Sequence, residues 1–184
     1  SGSTVGVMTL LELKENNNEL ILDLFKYGGF PEQYLLKSER ETRRWSREYR
    51  TRIINEDLNS LENVKDIALL ENLSYRLPEL VGSPLSINAL KNDLQVSHQT
   101  VSRWLKIFEN VYMIFRIYPF GSPSIRAVKK EAKHYHYDWT LIEEQGVRFE
   151  NMVACHLLKW CHYRQDYHGE DWRQKGQGRP EQHA

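Results

Sequence analysis

Cysteine is almost absent, with only Cys155 and Cys161 in 184 residues. Both lie in one helical-looking segment, which excludes a disulfide framework and resembles a reduced cytosolic protein. Net charge is also missing. Lysine plus arginine number 25 and aspartate plus glutamate 25, so no overall field draws the chain to DNA or to an anionic membrane, and any nucleic-acid contact must be a local patch. No apolar run approaches the roughly 20 residues of a membrane span, and Ser1-Gly2-Ser3 opens neither a basic region nor an apolar one. The expected location is the cytoplasm, with no membrane partner. Nor is there a Gly-x-x-x-x-Gly-Lys run, whose glycines let backbone amides approach phosphates, so ATP hydrolysis by this chain is excluded.

What the chain does have is helical patterning. With 40% apolar and 27% charged residues it has enough material for one compact domain or two small ones. Leu20, Ile21, Leu24 and Phe25 recur at helical spacing over about Glu19 to Tyr27 and stop at Gly28-Gly29. Pro31 then starts a short segment with Tyr34, Leu35 and Leu36. From about Ser38 to Asn55, Trp45, Tyr49 and Ile53 fall four apart and are expected to form the core face. Arg40, Arg43, Arg44, Arg47 and Arg50, interspersed with Glu39, Glu41 and Glu48, read as a solvated, ion-paired ridge. Val64, Ile67, Leu70, Leu73, Leu77 and Leu80 predict a central helix from about Leu61 to Val81, interrupted near its end by Pro78.

Leu85 to Phe115 is the most informative stretch. Ser86 and Ser97 are N-cap candidates for two short helices, one carrying Ile87, Leu90 and Leu94, the other Val101, Leu105 and Phe108. Leu94-Gln95-Val96 makes the turn between them, and this is a helix-turn-helix arrangement. Gln95 stands where glycine is common, at a cost of about 1 kcal/mol if its backbone is left-handed. His98, Gln99, Ser102, Arg103 and Lys106 are expected to face outward, and such side chains contact phosphates and base edges. Strand formers over Val111 to Phe120 and Lys133 to Trp139 predict a wing hairpin, whose loop carries Arg126, Lys129 and Lys130 as a second basic site. A last helix is expected from Val147 to Trp160.

Two constellations invite chemical readings. His134-x-His136-x-Asp138, with Cys155-His156 and Cys161-His162, offers zinc-type ligands, but cysteines six apart sit on different faces of one helix. A polar strand face and a buried thiol are expected instead, with no metal and no cofactor. Neither cysteine has an assignable base to make it a nucleophile.

Several motifs recur together in a known group. Gly28-Gly29-Phe30-Pro31-Glu32, Trp45 with Tyr49, Asp57-Leu58, Gly82-Ser83-Pro84, Leu94-Gln95-Val96-Ser97 with Thr100-Val101, Lys133-x-Tyr135-x-x-Asp138-Trp139 and Arg148-Phe149-Glu150-Asn151 stand in the order found in the C-terminal region of prokaryotic AAA-type ATPases, a domain of unknown function. The resemblance runs from about Tyr27 to Trp160. It implies a mainly α chain with a winged helix-turn-helix centre, followed by the start of a restriction-endonuclease-like α/β part, and an ATPase module of the same parent protein as partner. Glu150 matches the family's helix glutamate, but the further acidic strand and Glu-x-Lys element of a metal site are missing, so one carboxylate cannot build it.

The expected organisation is a linker or expression remnant over 1–18, a helical region over 19–82, a winged helix-turn-helix over 83–140, a helix of a truncated nuclease-like part over 141–164 and a disordered or truncated tail over 165–184. The expected role is non-catalytic. It is a regulatory and recognition region docking on the ATPase module or another partner, with DNA contact and protein docking left as alternative uses of the helix-turn-helix. The alternative is a free-standing winged-helix DNA-binding regulator.

Overall fold

The computed structural model describes residues 18–57, 64–118 and 131–168. The chain is mainly helical with one small sheet. Helix α1 (Asn18–Tyr27) ends at Gly28, whose φ of +91° suits a residue without Cβ. Helix α2 (Pro31–Leu36) has proline in its first turn, and α3 (Glu39–Arg52) is capped by Ser38, which accepts from the Glu41 amide. A π turn, Ile53–Asp57, follows. Helix α4 (Val64–Arg76) gives way to a 3₁₀ turn, Leu77–Leu80, at Pro78, where the sequence places the interruption.

Helix α5 (Ile87–Leu94) and helix α6 (His98–Asn110) are capped by Ser86 and Ser97, as their sequences predict. Gln95 between them is left-handed, with φ 55° and ψ 41°. Leu90, Leu94, Val101, Trp104, Leu105 and Phe108 from this pair are buried against Ile53, Ile54, Leu70, Leu73 and Leu77. The main core is therefore the joint of α5 and α6 closed by α4 and the π turn.

Strand β1 (Ile114–Ile117) pairs antiparallel with β2 (Lys133–His136), with Ile114 opposite His136 and Phe115 opposite Tyr135. Strand β1 starts later than its sequence suggests, since Tyr112 is left-handed (φ 55°) in the turn before it, and β2 ends at His136. Alternation sends Ile114 into the main core, while Phe115 and Tyr135 enter a second cluster with Val81, Ile142 and Ala154. That second cluster seats helix α7 (Gln145–His168), which continues past Trp160, where its helical pattern fades.

The inward face of α3 differs from expectation. Trp45 and Tyr49 are only half-buried, and the residues turned inside are Thr42, Ser46 and Arg50. Trp45 instead stacks on Tyr49 at 4.8 Å and meets Phe30 at 4.9 Å, while its indole N–H donates to Glu32 at 2.7 Å. Arg50 leaves the arginine ridge and lies over the Tyr75 ring at 4.5 Å. Arg44 keeps the expected ion pairs, with Glu41 at 2.8 Å and Glu48 at 3.5 Å.

Candidate functional site

Helix α6 buries Val101, Trp104, Leu105 and Phe108, so its opposite edge is left to solvent. His98, Gln99, Arg103 and Lys106 are exposed there and Ser102 is half-buried. Spacings of one, three, one and three residues keep the five on one edge of the helix. Ser102 Oγ donates to the His98 carbonyl at 2.9 Å, and Lys106 Nζ stands 3.7 Å from Glu109. Arg126, Lys129 and Lys130, the expected second basic site, lie outside the described residues.

Acidic neighbours of this edge are neutralised. Asp93 pairs with Arg76 at 3.1 Å. Glu109 receives two parallel bonds from Arg116 at 2.9 Å, which fastens β1 to the end of α6. Although partial burial opposes ionisation, that pairing holds the Glu109 carboxyl below its ordinary range and raises Arg116. Segment 84–85 is also tied to the hairpin, through a bridge from Pro84 to Lys133 and a 2.9 Å bond from the Leu85 amide to Ala132.

Where α2 and α3 meet the turn after β2, the chain holds a buried polar network that periodicity does not reveal. Asp138 Oδ2 accepts from Ser46 at 2.6 Å and from Gln33 at 3.3 Å, while its Oδ1 accepts the Thr140 hydroxyl at 2.6 Å and the Thr140 amide at 3.1 Å. Gln33 also donates to Ser46 at 2.8 Å. The two adjacent glycines fit this arrangement. A Cβ on Gly28 would strike Gln33, and one on Gly29 would run into the Trp139 ring, whose N–H donates to the Leu24 carbonyl at 2.9 Å.

His134 and His136, expected on a polar strand face, are instead fully buried. The β1 register explains this, because both stand on the strand face that Ile114 carries into the main core. His134 Nε2 donates to the Leu77 carbonyl at 2.8 Å, and burial lowers its pKa to about 4. Burial also holds His136 well below the usual histidine range. Asn151 clasps the His136 backbone, accepting its N–H at 2.8 Å and donating to its carbonyl at 2.6 Å. The Cys155 thiol donates to the same carbonyl at 3.1 Å, and burial pushes its pKa up to about 12. Asp138 faces Ser46 and Thr140, and among the described residues no three histidine, cysteine or acidic side chains form a metal-holding group. Glu150 accepts from Lys133 at 3.2 Å and from the Tyr135 hydroxyl at 2.8 Å, so it pins α7 to β2.

A family model described as Domain of unknown function (DUF8612) matches residues 18–145, from the start of α1 to the first residue of α7. The chain belongs to that family. This corrects the resemblance to the C-terminal region of AAA-type ATPases, because the DUF8612 match takes in most of the motifs that carried it. The physical reason is that those motifs encode packing. Gly28-Gly29 makes room for Gln33 and Trp139, Ser97 caps a helix and Asp138 holds Ser46, needs that do not specify one parent protein. The expected ATPase-module partner and the reading of α7 as the start of a nuclease-like part lose their basis with it.

An uncharacterized protein of Methanocaldococcus jannaschii, MJ1544, is 31% identical over 118 residues, covering 60% of this chain and 25% of that protein. An uncharacterized protein of Haemophilus influenzae is 24% identical over 155 residues, covering 77% of this chain and 38% of its own length. The chain thus spans well under half the length of the curated relatives it matches. No solved structure matches it. Among the described residues, no helix is long and apolar enough to cross a membrane.

Proposed function

We propose that this DUF8612 chain is a non-catalytic recognition module that contacts duplex DNA through the outer edge of α6. The observation that carries the reading is the joint exposure of His98, Gln99, Arg103 and Lys106 on the edge opposite a fully buried face. Two capped helices meet at a tight turn and an antiparallel hairpin follows, so the arrangement reads as a winged helix. The tie between segment 84–85 and β2, with the Glu109–Arg116 pair, holds the hairpin beside α6 as a wing requires.

In this reading the start of α6 enters the major groove. Gln99 and Arg103 reach base edges, while His98, Ser102 and Lys106 meet phosphates or flanking bases. The test is competition between duplexes of different sequence. Gln99→Ala and Arg103→Ala are expected to compress the affinity differences among them, each lost base contact being worth about 1–3 kcal/mol of discrimination. Unchanged discrimination in both variants contradicts the assignment.

A second reading has its own observation. The formal net charge is zero and Lys106 leans towards Glu109, so the electrostatic attraction that dominates DNA affinity is small here. The same edge then docks on a protein partner. Helix-turn-helix modules serve both purposes, and salt dependence separates the two.

A further inference from the structure

The arginine ridge of α3 is less ion-paired than its sequence predicts. Arg40, Arg43, Arg44 and Arg47 are exposed, and spacings of three, one and three set them on one face of the helix, which exposed Thr51 continues. Of these four, only Arg44 holds carboxylates, those of Glu41 and Glu48. Glu39 is taken by Lys26 at 2.7 Å, and after Lys26 the charges of Arg43 and Arg148 also favour its ionised form. Among the described residues, Arg40, Arg43 and Arg47 have no salt-bridge partner, and Arg47 Nε reaches only the Arg43 carbonyl, at 3.4 Å.

Acids on the neighbouring helices do not offset the row. Asp23 of α1 pairs with Lys37 at 2.7 Å. Glu32 of α2 accepts the indole N–H of Trp45, which stands about 140° round the helix from Arg40. Glu19, seven residues before Lys26 on α1, is the remaining acid of the three helices, and the next acids in sequence, Glu56 and Asp57, come nine and ten residues after Arg47. The fourteen residues of α3 carry six arginines and three glutamates, in a chain whose formal charge sums to zero. A neutral total thus conceals a local positive face. Past Arg47 that face sinks into an open depression of about 340 Å³ lined by Arg47, Glu48, Thr51, Arg52 and Asn55.

The composition of the face indicates its occupant. A specific protein interface has an apolar centre depleted in charge, whereas nucleic-acid interfaces are polar and strongly positive. No apolar side chain stands among Arg40, Arg43, Arg44, Arg47 and Thr51, and a membrane-surface helix also needs an apolar face to insert. Single strands are held largely by stacking on aromatic rings. The nearby rings of Phe30, Trp45 and Tyr49 are engaged with one another, which leaves the phosphate backbone as the contact. From Arg40 to Arg47 the helix rises about 10.5 Å, roughly three phosphate steps of one strand at about 3.4 Å each. The guanidinium fork suits phosphate oxygens.

We infer that this face of α3 is a backbone-binding site for duplex DNA, in which Arg40, Arg43 and Arg47 each meet a phosphate of one strand whatever its sequence. It is separate from the α6 edge and does not rest on that reading.

Titration of labelled duplexes of about 30 base pairs and differing sequence with the 184-residue chain, between about 50 and 200 mM salt, tests this. The combined Arg40→Gln, Arg43→Gln and Arg47→Gln variant is expected to lower the salt slope by between about 2 and 3 and to weaken every duplex alike, at least about tenfold at the lower salt. All three positions are exposed, so an unchanged circular dichroism spectrum marks a folded variant. The matching triple lysine variant keeps the charges and is expected to keep the slope. Added to Gln99→Ala and Arg103→Ala, the glutamine changes should produce the same fall in slope, so failure of α6 contact and failure of this site read differently. An unchanged slope in the glutamine variant overturns the inference, as does a slope lost equally in the lysine variant or absence of duplex binding at the lower salt. Capture by vesicles rich in anionic phospholipid, dependent on the same arginines and without duplex binding, assigns the face to lipid headgroups and overturns it too.

Discussion

Ser46 donates a 2.6 Å hydrogen bond to Asp138 across 92 residues of sequence, joining the inner face of α3 to the turn after β2. Gln33 and Thr140 complete the shell around the same carboxylate. Asp138→Ala removes the acceptor of four hydrogen bonds at once, those from the Ser46 hydroxyl, the Gln33 amide and the Thr140 hydroxyl and backbone N–H. Since an unsatisfied buried group costs about 1–3 kcal/mol, a loss of at least about 3 kcal/mol is expected in urea unfolding, with Asp138→Asn intermediate because an amide oxygen still accepts. A midpoint unchanged in Asp138→Ala refutes the network as a stabilising element.

Gly29 lies against the Trp139 ring, where an added Cβ has no room. Gly29→Ala is therefore expected to cost about 1–3 kcal/mol by overpacking. Pairing it with Trp139→Leu should recover part of that loss in thermal unfolding. An equal loss in both backgrounds argues against this contact.

Trp45 is half-buried, stacked on Tyr49 and hydrogen-bonded to Glu32. Trp45→Ala should cost about 1–2 kcal/mol, below the 3–5 kcal/mol typical of a fully buried aromatic. A loss in the upper range by chemical denaturation places the ring deeper than described.

Buried histidines make stability depend on pH. His134 has a folded pKa of about 4 against an ordinary 6.5, and His136 is depressed in the same direction. The unfolded chain therefore binds protons first. Stability is fully present above about pH 6.5 and is lost as pH falls towards the folded pKa, by about 2 kcal/mol from His134 alone by pH 5. Urea midpoints at pH 7 and pH 5 measure this, and His134→Gln should flatten the difference. A flat profile in the parent chain contradicts burial of the neutral rings.

Much of the local structure is legible in the sequence. Ser86 and Ser97 announce helix starts, Gly28 a stop, Pro78 a break, and Ile114 to Ile117 a strand. Those signals act within a few residues, so they survive without knowledge of the fold. The inward face of α3 is different. Thr42, Ser46 and Arg50 repeat every four residues just as Trp45, Tyr49 and Ile53 do, and hydrophobicity favours the second set, in which Ile53 is buried in the core but Trp45 and Tyr49 are only half-buried. What reverses the choice is Asp138, which no spacing rule connects to Ser46. Burial of His134 and His136 has the same origin, because the strand register decides which face of β2 meets the core. At the candidate site, the outward edge of α6 follows from helical spacing, since its apolar face is strongly marked. Neutralisation of Asp93 by Arg76 and of Glu109 by Arg116 depends on tertiary contacts that helical spacing does not reveal.

The most direct test of DNA contact through α6 is titration of a labelled duplex with the chain at about 50 and 200 mM salt. Weak binding is expected, with a dissociation constant on the order of micromolar or higher near physiological salt and clear tightening at the lower concentration. Lys106→Ala should weaken all duplexes alike and reduce the salt slope by roughly 1, the signature of one lost phosphate contact. Absence of binding at low salt, or affinity indifferent to salt and to Lys106, contradicts the account and leaves the α6 edge as a protein-docking surface.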